Sequence, residues 1–403
     1  KASGSAALEH HHGLWYDRRR DDHLMVRRST GDVAPPFYEQ PFARTGIGTA
    51  WDGLSKYDLR KPNPWYWQRL REFAGRCDHE GLALLHLHYF QHNILEAGGH
   101  WADCPWRPAN NVNDTGLPEP PPYVGDKRVF LAEQFYDVSN PNLLELHRGY
   151  IRQCLEGMGN ATNVIHLTSA EFTGSLEFAQ FWVDTIAEWE HEAGKNVLLG
   201  LSATKDVQDA ILSDPQRSPH VDVIDIRYWT YTRGGALYAP AGGKSLSPRQ
   251  HLRRMKPAPI SFASILRSIR EYRQRFPDKA VTYFADKHSH GTRDGWAVLM
   301  GGGSLANISA LPSDLARHLP KMLPVEGITN GNNAWCLAGD EHYLVYSESN
   351  QQVLHLQLPD RPSGYRARWL DPATGAATAA SLLTAEKLAQ LPANAPVLWL
   401  ATG

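Results

Sequence analysis

The sequence predicts a (β/α)8 barrel followed by a small antiparallel β-domain. Three observations predict this fold class. From about residue 64 the chain alternates segments of helical period with short apolar runs, the pattern of a parallel barrel. After about residue 324 the helical period ends, and short alternating strands separated by turn residues follow. The 403 residues are enough for one large barrel and a smaller domain.

We therefore predict an α/β TIM barrel over residues 1–323 and a C-terminal antiparallel β-sandwich over residues 324–403. Apolar residues at helical spacing predict helices at 64–81, 140–158, 175–194, 206–213 and 261–277 and in GWAVLMGGG. Apolar runs between them predict strands at 82–90, 163–171, 196–203, 221–229, 279–288 and 304–308. If 304–308 is the eighth strand, 163–171 is the fourth and 279–288 is the seventh.

The ends of the chain are less regular. The first two barrel strands are expected before residue 64, around 8–15 and 37–44. The chain begins at Lys1 without an initiator Met, so we expect the gene product to extend upstream and the protein to be secreted or periplasmic. The C-terminal strands are predicted in WCLAGDEHYLVYSE, QVLHLQLP, YRARWLDPATG and APVLWLA.

Composition excludes several classes of function. The formal net charge is −2 and the basic residues are scattered, so nucleic-acid binding has no electrostatic support. No run of about 18 apolar residues predicts a membrane span. None of the four cysteines has CxxC spacing, so no zinc or redox motif is indicated, and we predict neither a metal ligand nor a cofactor. The 13 Trp, 16 Tyr and 19 His are typical of carbohydrate sites, although most single Trp residues are expected in the core.

Glu171 is the first candidate catalytic residue. It closes the apolar run NVIHLTSAEF, so it is expected at the C-terminal tip of a barrel strand. Those tips face the active-site mouth of a barrel, where a carboxylate can act as general acid and base. The alternative is a glutamate at a strand end in a structural salt bridge.

The order helix, LHLHYF, helix, NVIHLTSAEF resembles the clan A glycoside hydrolases. GWAVLMGGGSLANI, GDEHYLVYSE and RARWLDPATG resemble the DUF4038-type barrels, which include the apiosidase-type family 140 hydrolases with a C-terminal collagen-binding-like β-domain. This resemblance implies a bacterial enzyme of polysaccharide degradation. Clan A barrels carry Asn before the catalytic Glu and a second Glu on the seventh strand, whereas this chain has Ala170 and Asp286.

On that resemblance Glu171 is the acid/base and Asp286 is the nucleophile of a retaining glycosidase. Retention requires the two carboxyl groups to lie about 5–5.5 Å apart, and inversion requires about 6.5–9.5 Å. Asp286 has an alternative role as a loop residue that pairs with Lys287. Rival second carboxylates are Asp225, Glu39, Asp52 and Glu133.

Substrate-binding residues are predicted around the mouth. His86 and His88 are two positions apart in a strand, so they share a face. Arg227 could pair with a carboxylate of the substrate, which suggests a uronic acid. The full set of predicted substrate-binding residues is His86, His88, His92, Trp51, Asp52, Arg227, Tyr228, Trp229 and His288.

Two other functions stay open at this point. HxH on a barrel strand is also a ligand pair in amidohydrolase-like metalloenzymes, so His86 and His88 allow a metal-dependent hydrolase. A buried structural role for these histidines is the third reading. The aromatic residues and the β-domain also allow a carbohydrate-binding protein without catalysis. In each glycan-based reading the partner is a carbohydrate.

Overall fold

The structure of the protein is a computed structural model. It describes residues 5–11, 40–91, 101, 104–117, 132–170, 172–243, 260–284, 292–329, 333–348, 353–383, 388–390 and 396–402. The chain divides into two compact units. The first unit consists of residues 7–229 and 238–256, and the second consists of residues 1–6, 230–237 and 257–403.

A parallel sheet forms the centre of the first unit. Five strands lie side by side in the order β1 (Ala7–His10), β4 (Ala83–Phe90), β5 (Val164–Ala170), β6 (Leu198–Ser202) and β7 (Val223–Ile226). Between β1 and β4 the chain forms a separate antiparallel pair, β2 (Phe42–Arg44) and β3 (Tyr57–Pro62). The parallel strands are mostly apolar on both faces, as strands covered on both sides must be.

One face of this sheet, here called the inner face, is concave. Glu9 is the register partner of Leu85, so both side chains lie on this face. A flat sheet would separate β1 from β7 by roughly 19 Å, four strand spacings. Yet Nη1 of Arg227, the residue after β7, lies 2.9 Å from Oε2 of Glu9 on β1. The sheet therefore curves strongly around this face, as in a TIM-like fold.

The opposite, outer face packs against helices. The first unit contains α1 (Pro64–His79), α2 (Ala132–Phe135), α3 (Pro141–Gly157), α4 (Leu176–Ala193) and α5 (Lys205–Ser213), with short 3₁₀ turns at Pro108–Asn110 and Ser218–His220. Asn63, Asn140 and Ser175 cap the three long helices by accepting a backbone N–H in the first turn. Gly194 ends α4 in the left-handed conformation, with φ of 62°.

The contact between α1 and α3 at Gly157 can be tested by substitution. A Cβ at Gly157 would lie 2.1 Å from Cε3 of Trp67, whereas a Cβ at Gly149 in the same helix would meet nothing within 4 Å. We expect Gly157→Ala to destabilise the protein by about 1–3 kcal/mol through overpacking. We expect Gly149→Ala to stabilise it by up to about 1 kcal/mol through helix propensity. Urea unfolding of both variants checks this, and equal effects would contradict the close contact between α1 and α3.

The second unit combines helices with a larger antiparallel sheet. It contains α6 (Phe262–Arg275), β10 (Ala280–Tyr283), α7 (Thr292–Met300), α8 (Ser313–Ala316) and a 3₁₀ turn at Leu319–Lys321. Two short strands, β8 (Thr230–Tyr231) and β9 (Leu237–Tyr238), fall where the chain passes between the units. The indole of Trp335 and the ring of Tyr346 both stack on Phe262 of α6.

The antiparallel sheet has six strands in the order β11 (Leu323–Val325), β12 (Ala334–Gly339), β13 (His342–Ser347), β18 (Val397–Thr402), β15 (Tyr365–Leu370) and β16 (Ser381–Leu383). A separate pair is formed by β14 (Val353–His355) and β17 (Leu388–Gln390). Buried apolar side chains of β12, β13, β15 and β18 form one core with Leu356 and Leu358. The predicted antiparallel β-structure is therefore confirmed, while its division from the barrel at residue 324 stays a prediction.

The predicted helices are confirmed within a few residues, but two predicted strands are wrong. Residues 304–308 do not form a strand, because Leu305 has a positive φ of 54° that interrupts an extended run. The strand predicted at 37–44 is not in the parallel sheet. β1 pairs directly with β4, and β2 pairs antiparallel with β3 instead.

Two further observations concern the cysteines and membrane-spanning helices. All four cysteines are buried and free. In the described part of the chain, no helix combines the length and the hydropathy that crossing a bilayer requires.

Candidate active site

Three charged side chains meet on the inner face where β1 and β7 end. Glu9 is the penultimate residue of β1, and Arg227 follows the last residue of β7. The guanidinium of Arg227 donates through Nη1 to Glu9 Oε2 at 2.9 Å and through Nε to Asp225 Oδ2. The side chains of Arg227 and Asp225 are each 5% exposed, and that of Glu9 is 29% exposed. We call Glu9, Arg227 and Asp225 the inner triad.

The inner triad carries more negative than positive charge. Burial lowers the pKa of Arg227, but the nearby Asp225 and Glu9 carboxylates outweigh this effect and raise the pKa above its usual value. The guanidinium is therefore charged, and two carboxylates share its single positive charge. This offsets the attraction of Arg227 for a substrate carboxylate, so the suggestion of a uronic acid loses its physical basis.

Trp229 lies behind the inner triad in the core. Its indole is fully buried, and Nε1 donates to Oε1 of Gln208 at 2.8 Å. Gln208 in turn donates through Nε2 to the backbone oxygen of Asp225 at 2.8 Å. Lys205 Nζ lies 4.8 Å from the centroid of the indole and 2.7 Å from Asp209 Oδ2. A fully buried indole has no face for a sugar ring, and Tyr228, 7% exposed, is nearly as covered.

His86 and His88 share a face, as predicted, and it is the outer face. The rings are 1% and 0% exposed and contact Trp67 of α1 and Trp182 of α4. Trp182 Nε1 donates to His88 Nδ1 at 3.1 Å, and an indole nitrogen can only donate. His88 therefore carries its proton on Nε2 and donates it to His166 Nδ1 at 3.0 Å.

Burial and the neighbouring His166 hold the pKa of His88 well below its usual value, so the ring is neutral. Both of its nitrogens are already used inside the core. This placement does not support contact between His88 and a substrate hydroxyl.

A metal does not fit this histidine group. Ligand atoms of His86, His88 and Cys154 lie within 4.8 Å of one another, and all three residues are buried. A metal would need a free nitrogen lone pair on His88, but Nδ1 already accepts the Trp182 N–H and Nε2 carries the proton. Burial also raises the pKa of the Cys154 thiol, which opposes formation of the thiolate ligand.

A cleft of about 300 Å³ lies beside the segment that follows the C-terminal end of β5. Gln91, the residue after β4, donates to Thr173 Oγ1 at 2.9 Å and accepts from Thr173 N at 3.1 Å. These two hydrogen bonds hold Thr173, which lines the cleft, against Gln91. The lining, here called the acidic cleft, consists of Glu133, Tyr136, Asp137, Val138, Thr173, Gly174, Ser175, Glu177 and Gly243. A second cleft of the same volume lies between the β2–β3 pair and α3, away from these strand ends.

Four predicted site residues lie outside the described residues: Glu171, Asp286, His92 and His288. In the sequence, Glu171 directly follows Ala170, the last residue of β5, and Asp286 comes three positions after β10. Trp51 and Asp52 belong to the segment between β2 and β3, where Asp52 forms an ion pair with Arg44.

Sequence reasoning missed Glu9. The only signal was a charged residue inside the short run ALEH.

A protein-family model matches residues 1–322, and its description is "Domain of unknown function (DUF6298)". The chain belongs to the DUF6298 family. This is a different model from the DUF4038 group, and the resemblance to that group stays a prediction. No curated protein matches this DUF6298 chain.

Solved structures similar to the DUF6298 chain include a glycoside hydrolase family 5 protein from Bacteroides vulgatus ATCC 8482, with 12% identity and a TM-score of 0.50. That alignment covers 86% of this chain and 79% of the other. A second glycoside hydrolase is 11% identical with a TM-score of 0.49, covering 86% and 81%. Endo-glycoceramidase II from Rhodococcus sp. is 12% identical with a TM-score of 0.35, covering 85% of each chain. The first of these supports the α/β TIM-like fold.

Proposed function

We propose that this DUF6298 protein is a glycoside hydrolase that cleaves a glycosidic bond in a poly- or oligosaccharide. The observation that carries the proposal is the sequence position of Glu171 directly after β5, at the start of the segment whose Thr173, Gly174 and Ser175 line the acidic cleft. Active sites of TIM-like folds lie at the C-terminal ends of the strands. The cleft volume of about 300 Å³ suits a sugar-sized ligand. The proposal includes a closed barrel and a C-terminal β-sandwich.

The proposed mechanism is retaining hydrolysis. Glu171 donates its proton to the glycosidic oxygen while an Asp286 carboxylate oxygen attacks the anomeric carbon, and the bond to the leaving group breaks. Glu171 then removes a proton from a water molecule, whose oxygen displaces Asp286 and releases the sugar. The mechanism requires Glu171 to be protonated while Asp286 is ionised.

Product analysis tests the proposal. Wild-type protein is incubated with pectic, hemicellulosic and bacterial glycans, and new reducing ends are separated by chromatography. The proton NMR spectrum of the first product then distinguishes retention from inversion at the anomeric carbon. No product from any glycan, or glycan binding without turnover, would contradict a hydrolase and favour a binding protein.

Chelation separates this proposal from a metal-dependent hydrolase built on His86 and His88. Because both nitrogens of His88 are used in the core, we expect dialysis against EDTA to change the hydrolysis rate by less than about twofold. The measurement compares the rate before dialysis, after dialysis and after zinc is returned. An inactive dialysed protein that zinc restores would favour the metal-dependent function.

A further inference from the structure

Among the described residues, Glu9 has one carboxylate oxygen without a hydrogen-bond donor. Its Oε2 accepts from Arg227, and no other hydrogen bond or ion pair of Glu9 occurs among the described residues. The side chain is 29% exposed, in contrast to Asp225 at 5%. It also lies on the concave inner face at the C-terminal end of β1. The Glu9 side chain is therefore partly open to solvent, and within the described part of the chain its Oε1 is left as an acceptor for a ligand.

The other two members of the inner triad hold Glu9 in place. Arg227 donates from Nε to Asp225 and from Nη1 to Glu9, so its planar guanidinium spans the two carboxylates. Asp225 is anchored in turn, because Gln208 donates to its backbone oxygen. A carboxylate fixed by a buried ion pair loses little freedom when it binds a ligand, which favours affinity.

Charge then limits the class of ligand. The inner triad combines one guanidinium with two carboxylates, which leaves a net charge of −1. Like charges repel in a partly buried site, so a sugar that carries a carboxylate is disfavoured there. Sugar hydroxyl groups and protonated amines can both donate to Glu9 Oε1.

We propose that Glu9 contacts the sugar directly through Oε1, that Arg227 positions it, and that the site selects uncharged or cationic sugars over uronates. This inference rests on the proposed hydrolase function for its substrate class. Glu9 has the role of a binding carboxylate, and Arg227 acts only through Glu9.

Calorimetric titration tests the contact without turnover. The probes are 1-deoxynojirimycin, a hydroxylated amine that is protonated at pH 6, and glucuronate. We expect wild-type protein to bind the iminosugar at least tenfold more tightly than glucuronate. We expect Glu9→Gln to weaken iminosugar binding at least tenfold, because the charge at Oε1 is lost. Its melting temperature should stay within about 3 °C, since the amide oxygen can still accept from Arg227.

Matched variants separate binding from folding. Glu72→Gln, an exposed change on α1, should leave both binding and melting temperature unchanged. Arg227→Lys should weaken iminosugar binding as Glu9→Gln does, because a lysine cannot span two carboxylates. Glu9→Asp keeps the charge and should recover part of the binding. With an identified substrate, Glu9→Gln should raise KM more than it lowers kcat.

Three results would overturn the inference: no binding of the iminosugar to wild type, equal binding to Glu9→Gln, or tighter binding of glucuronate. A lower melting temperature with unchanged affinity would show that Glu9 is structural only. If no glycan is hydrolysed but iminosugar binding depends on Glu9, the hydrolase proposal fails and the binding role of Glu9 stands.

Discussion

Replacement of Glu171 by glutamine is expected to lower kcat by about 10³-fold or more on an unactivated glycan. The amide has nearly the same shape as the carboxyl group, but it can neither donate a proton to the glycosidic oxygen nor accept one from water. The melting temperature should therefore stay close to that of wild type. Initial rates of reducing-end formation, measured together with thermal unfolding, check both expectations.

A substrate with a better leaving group separates the two steps in which Glu171 acts. A dinitrophenyl glycoside of the same sugar leaves without protonation, so Glu171→Gln should still form the glycosyl-enzyme rapidly and stall at its hydrolysis. A burst of dinitrophenolate followed by slow turnover is the expected trace. Glu156→Gln, an exposed change on α3, serves as the control and should show wild-type rates on both substrates. Near-wild-type turnover of the unactivated glycan by Glu171→Gln would reject the acid/base assignment.

Acidification from pH 7 to pH 5 is expected to destabilise the first unit strongly. Burial lowers the pKa of His147 to about 3, although its hydrogen bond to the Phe135 carbonyl opposes this, and burial also lowers the pKa of His166 to about 3. In the unfolded chain both rings titrate near pH 6.5. As the pH falls below about 6.5, these rings take up protons in the unfolded state but stay neutral in the folded state. Their contribution to stability is therefore full above pH 6.5 and is lost as the pH drops.

Between pH 7 and pH 5, each of these two histidines is expected to lower the free energy of unfolding by about 2 kcal/mol. His88, whose pKa is also lowered, adds to this loss. Urea unfolding at pH 5, 6 and 7 measures the free energy of unfolding. Carboxylates contribute to the same curve, so the informative quantity is the difference between wild type and His166→Gln. That variant should lose about 2 kcal/mol of the pH dependence. His79→Gln, an exposed change on α1, serves as the control substitution. Parallel curves for wild type and His166→Gln would contradict a neutral buried ring.

The helices could be predicted well because residues at or next to their ends mark where they begin and stop. Asn63 with Pro64, Asn140 with Pro141, and Ser175 with Gly194 mark boundaries that the structure reproduces. The number of strands was harder to predict, because a short apolar run does not show whether it pairs with another strand, or with which one. Leu305 shows this directly, since its positive φ interrupts a run that reads as a strand.

The candidate site was only partly predictable for a similar reason. The spacing of His86 and His88 correctly gave a shared face, but buried parallel strands are apolar on both sides, so the sequence does not mark which face is inner. Arg227 was recognised, whereas its partner Glu9 lies 218 positions earlier, and no local pattern connects them. Glu171 and Asp286 lie outside the described residues, and their roles stay predictions.

The link between Glu9 and Arg227 also sets an order of events during synthesis. At ribosomal rates of about 5–20 residues per second, roughly 10–40 s pass between translation of these two residues. During this interval β1 presents an unneutralised carboxylate to water, which discourages association of that strand with other nascent chains. A ribosome-bound chain that stops short of β7 would thus lack the ion pair that holds Glu9 in place.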